Sequence, residues 1–171
     1  MPLFRGPWPK APTETQDPDT RRATQLLNAA MSYARLILKR YGQLGPFAFA
    51  MDRDGNVARE TLEIPRLPRD PERMFRLMTE HVAERVRRGL IQGVALCANV
   101  SLATPSQEGY TDAVDLTIEQ ASGHAVQVTI PYRIYGGQMH NLLPRRIVLG
   151  KAEAEEGASR FFARGKGSPD F

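Results

Sequence analysis

Residues 112–132 read DAVDLTIEQASGHAVQVTIPY, and this stretch decides the fold. Val114, Leu116 and Ile118 alternate with Asp115, Thr117 and Glu119, and beyond Ala121-Ser122-Gly123 the residues Val126, Val128, Ile130 and Tyr132 alternate with Gln127 and Thr129. A period of two marks strands that bury one face, so the stretch is a hairpin. Parity then gives its register. Directly opposed residues of an antiparallel pair share a face, and the apolar residues are even-numbered in both strands. A three-residue loop with Gly123 in the left-handed region sets Gln120 opposite His124. Ile118 then faces Val126, Leu116 faces Val128, Val114 faces Ile130 and Asp112 faces Tyr132. The other face sets Thr117 beside Gln127 and Asp115 beside Thr129, a polar surface turned to water or a partner.

Upstream, Val94, Leu96, Ala98, Val100 and Leu102 alternate with Ala95, Cys97, Asn99 and Ser101, a third strand of the same meander. It follows a helix opened by Asp70-Pro71-Glu72, whose apolar stripe is Met74, Phe75, Met78, His81, Val82 and Val86. His81, among apolar neighbours, reads as a packed histidine. Before that helix come two strands, 47–51 and 57–64, joined by an Asp52–Asn56 turn. Its aspartates lack the spacing of a calcium loop. A first helix starts at Asp17-Pro18, with Asp19 as the competing cap, carries Ala23, Leu26, Leu27, Ala30, Ala34, Ile37 and Tyr41 on one face, and ends at Gly42. Downstream, 146–149 reads as a short strand and 152–162 as a terminal helix. The expected fold is α+β, in the order α-β-β-α-β-β-β. Both main helices are expected on one face of an antiparallel sheet of four to six strands, with the C-terminal strand and helix added.

The chain has 171 residues, 42% apolar and 25% charged, enough for one domain, read here as 17–163. Residues 1–16 read as a proline-rich extended arm, expected to be disordered in isolation, in which Phe4 and Trp8 offer two large apolar anchors for a groove on its own domain, a partner or a second copy. Residues 164–171 read as a tail. No stretch reaches the length of a membrane span and no secretion signal is legible, so a soluble cytoplasmic protein with no membrane partner is expected. The single cysteine, Cys97, excludes an internal disulfide. Net charge is +4, and the excess lies in the arm and first helix, where Arg21, Arg22, Arg35, Lys39 and Arg40 are the residues a nucleic-acid reading would use.

The segment 44–55 (LGPFAFAMDRDG), Thr111-Asp112-Ala113-Val114 and Pro131-Tyr132-Arg133 together resemble a family of small, uncharacterised bacterial α+β proteins. That pattern is a Phe-rich strand with an Asp-x-Asp-Gly turn, a Thr-Asp-Ala strand and a Pro-Tyr strand. The resemblance spans about residues 26–133 and brings no activity with it. It marks Thr111, Asp112 and Tyr132, which the register gathers at one end of the sheet with Arg133.

No nucleophile elbow, phosphate loop, dinucleotide fingerprint or zinc-protease motif occurs. His81, His124 and His140 have no ligand spacing, and Cys97 with His124 is a weak dyad, so no metal, cofactor or catalytic residue is assigned. Asp115 and Glu119 read as solvated charges. The favoured expectation is a non-catalytic protein-binding or interaction module, partner-neutralising or homodimeric. At the rim of the sheet Tyr132 is expected to donate to the Asp112 carboxylate and so stabilise the end of the meander. The functional alternative is an enzyme or small-ligand protein whose pocket holds Thr111, Asp112, Tyr132 and Arg133. A second alternative is weak nucleic-acid binding through the first helix.

Overall fold

The computed structural model describes residues 16–163. The arm with Phe4 and Trp8 and the tail from 164 lie outside the described residues. Helix α1 (Pro18–Tyr41) is capped by Asp17, whose carboxylate accepts from the Thr20 N–H at 3.1 Å, and it ends at Gly42 with φ +73°. Asp19 instead pairs with Arg22 at 2.7 Å, and Tyr41, expected on the apolar stripe, is exposed in the last turn. Strands β1 (Phe47–Asp52) and β2 (Val57–Arg59) form the first hairpin. Helix α2 (Pro71–Arg87) is opened by Asp70, which accepts from the Arg73 N–H. Then come β3 (Ile91–Ser101), β4 (Asp112–Gln120), β5 (Ala125–Tyr135), the single turn α3 (Gln138–Asn141), β6 (Arg146–Leu149) and β7 (Glu153–Glu156).

The seven strands form one antiparallel sheet in the order β2-β1-β3-β4-β5-β6, with β7 also pairing β5. The β4–β5 register is the one parity dictates: Asp112 faces Tyr132, Val114 faces Ile130, Leu116 faces Val128 and Ile118 faces Val126, around Gly123 at φ +92°. β6 and β7 line the same edge of β5 with a one-residue slip between them, where the Gly150 N–H donates to the Pro131 carbonyl.

The helices lie on opposite faces, which corrects the expectation that both cover one. Leu26, Leu27, Met31 and Leu38 of α1 pack on Phe47, Met51, Cys97, Leu116, Val128 and Ile130. Met78 and Val82 of α2 pack on Ala48, Ala50, Val94 and Leu96, which the strand alternation turns to the other side. β1 and β3 are thus apolar on both faces, and the small Ala48 and Ala50 let α2 approach closely. Each fully buried leucine or methionine of these two layers contributes about 1.5–3 kcal/mol.

Three further expectations change. The sheet has seven strands rather than four to six, because the C-terminal chain adds two short pairings to the free edge of β5. β2 stops at Arg59 instead of 64. The expected helix over 152–162 is β7 followed by non-helical chain: residues 153–156 supply ladder bonds to Val126–Thr129, and Phe161 and Phe162 pack on the α2 cluster. Glu119, expected in solvent, is fully buried beneath this chain. Its Oε2 accepts from the Ser159 hydroxyl at 3.0 Å and from the Arg160 and Phe161 N–H groups at 2.8 Å each.

Candidate functional site

The sheet outruns α1 at one end, and the space beyond the helix is a cleft of about 460 Å³. Gly42 and Gln43 border it from the helix side. Asn99 comes from β3, Asp112 from β4, Tyr132 and Ile134 from β5, and Gly109, Tyr110 and Thr111 from the β3–β4 connection. Asn99, Asp112 and Tyr132 share the α1 face because β3 presents its odd residues to α1 while β4 and β5 present their even ones.

Thr111, Asp112, Tyr132 and Arg133 all border this one cleft. Their bonding differs from expectation in one respect. Tyr132 donates to Asn99 Oδ1 at 2.7 Å, not to Asp112. Asp112 lies directly opposite Tyr132, too near for the far end of a phenol, and the hydroxyl reaches across β4 to the next strand. The Tyr132 side chain forms the floor, with only 6% of the residue exposed. Burial, and then the negative charge of Asp112, push its phenol up to about 12. Asp112 itself is partly buried, and its carboxylate has no hydrogen-bond or ion-pair partner among the described residues. Arg133 is exposed, and its guanidinium lies 5.3 Å from the Tyr135 ring centre.

The five cations of the first helix do not form one footprint. Arg21 and Arg22 lie in its first turns, where Arg22 is held by Asp19 and by Gln120 Oε1 at 3.0 Å. Arg35, Lys39 and Arg40 lie near its other end, roughly 20–28 Å away at helical rise. Cys97 and His124 are also apart. Cys97 is buried beneath α1, and burial, with a smaller effect of Asp115, holds its thiol well above the ordinary range. His124 contacts Gln120 at the β4–β5 turn. No group of three or more His, Cys, Asp or Glu that could hold a metal occurs among the described residues.

One cluster escaped the sequence reading. Glu60, buried just past β2, meets His81 Nε2 at 2.7 Å and Arg85 Nε at 3.3 Å, beside a second cleft of about 590 Å³. Its signal was present: His81 and Arg85 are four apart and share a face of α2. The cluster ties α2 to the chain leaving β2. No protein-family model, curated protein or solved structure matches the chain.

Proposed function

We propose that the protein is a binding module that holds a small organic cation in the cleft beyond the end of α1. The observation that carries this reading is the partnerless carboxylate of Asp112 at the cleft wall. A partly desolvated carboxylate gains from any donor that reaches it, and a charged hydrogen bond contributes about 1.5–3 kcal/mol. Tyr132 and Ile134 supply apolar surface for the ligand's body, and Arg133, at the same border, is exposed with its guanidinium over the Tyr135 ring. The volume lies within the range of about 300–1,000 Å³ usual for small-molecule sites.

The test is thermal stability of the full chain with putrescine, agmatine and tyramine, against alcohols of the same size. The amines raise Tm, the alcohols do not, and Asp112→Asn removes the effect. No shift with any of the three amines, or one that survives Asp112→Asn, contradicts the reading.

A further inference from the structure

The α3 loop and the end of α1 make a second surface, independent of the cleft's ligand. Residues 20–51 carry five Lys or Arg and residues 120–152 carry four, with no Asp or Glu in either segment. The fold brings the two together where α1 runs beside β6. Arg35, Leu36 and Lys39 line one groove of about 350 Å³ with Arg145, Arg146 and Ile147. Arg145 locks the corner: it donates to the Arg40 carbonyl at 3.0 Å, and a Cβ at Gly42 or Gly137 would meet its Nε at 2.8 or 2.9 Å. The loop is closed by the Gly137 N–H donating to the Leu143 carbonyl. From this corner Leu142 projects 79% exposed and Met139 70%, with Leu143, Leu36 and Tyr41 also exposed.

We infer that this corner docks on an anionic lipid surface, with the α3 loop entering the interface and Arg35, Lys39 and Arg146 facing the headgroups. Large apolar side chains at a protruding turn, ringed by cations and an interfacial tyrosine, suit a layer that is apolar inside and negative outside. A second copy of the chain fits poorly, because a two-fold contact sets the same cations against each other. The N-terminal arm is no better match in charge, with Arg5 and Lys10 against Glu14. Nucleic acid uses the cations but leaves Leu142 and Met139 without a role. A protein surface commonly mixes both signs, whereas an anionic bilayer is uniformly negative. Lying on a membrane does not require the spanning length whose absence led the sequence reading to expect no membrane partner.

The experiment is co-flotation of the full chain with vesicles of phosphatidylcholine and phosphatidylserine at 7:3, and with phosphatidylcholine alone. The mixed vesicles bind and the neutral ones do not. Each cation removed, as Arg35→Ala or Arg146→Ala, weakens binding about fivefold, and added salt weakens it further. Leu142→Ser, at an exposed position, weakens binding while the circular dichroism is unchanged. Equal flotation with neutral vesicles, no flotation at all, or self-association in solution that Leu142→Ser abolishes overturns the inference. So does tight binding to an oligothymidine that is indifferent to Leu142→Ser.

Discussion

Replacing Glu119 by alanine releases the C-terminal chain from the sheet. Its Oε2 receives three hydrogen bonds from residues 159–161, each worth about 1.5–3 kcal/mol when the acceptor is charged. Against this stands the desolvation of a fully buried carboxylate, a cost of several kcal/mol that the substitution removes. The Arg160 and Phe161 N–H groups then either stay unpaired or leave with the chain, and the second course uncovers Phe161 and Phe162 from the α2 cluster. The balance is a loss of about 2–4 kcal/mol, or roughly 5–15 °C in Tm for a domain of this size. Glu119→Gln keeps an acceptor at Oε2 but sets an amide N–H pair at Oε1, which has no hydrogen-bond partner among the described residues. It falls between wild type and alanine. Urea unfolding gives the stability, and amide exchange at Arg160 and Phe161 reports the release. A loss below about 0.5 kcal/mol with unchanged exchange at those two amides refutes the reasoning.

Three other outcomes follow. Tyr132 stays protonated until about pH 12, whereas an unfolded chain ionises it near 10. Its contribution to stability is therefore intact below pH 10 and lost as pH rises from 10 toward 12, and Tyr132→Phe, which also costs about 1 kcal/mol at neutral pH, removes that part of the alkaline loss. Ultraviolet titration of the phenols with urea melts across this range checks both, and a tyrosine spectrum complete by pH 11 contradicts them. Ala48→Leu overpacks the α2 face and costs about 1–3 kcal/mol in urea melts; a neutral result means that this face is open to water. Cys97, buried with its thiol raised, reacts with a disulfide reagent no faster than the protein opens, so rapid labelling without denaturant contradicts its placement.

The meander was legible because period-two alternation and Gly123 fix a register to the residue, and with it the company of Asp112 and Tyr132. The helix starts were legible because Asp-Pro places a capping carboxylate just before a residue that needs no N–H. What escaped depends on distant chain. Ala48, Ala50, Val94 and Leu96 show that β1 and β3 have a second apolar face, but alternation within a strand does not say which element covers it. The run AEAEE at 152–156 has helical propensity, yet the unpaired edge of β5 beside it offers ladder bonds that outweigh a few tenths of a kcal/mol per residue. Glu119 looked solvated for the same reason, since its partners lie about 40 residues onward. Within the cleft, parity places side chains on a face but not their reach, and a tyrosine spans more than one strand spacing. Asn99 therefore took the hydrogen bond assigned to Asp112.

The most direct test of the cleft as a binding site is the nitrogen–proton spectrum of the full chain titrated with agmatine. Perturbed amides are expected at Gln43, Asn99, Tyr110 to Asp112 and Tyr132 to Ile134, with Asp112→Asn abolishing them. Perturbations confined to the Glu60–His81 cleft or to the α3 loop, or none at millimolar ligand, contradict it.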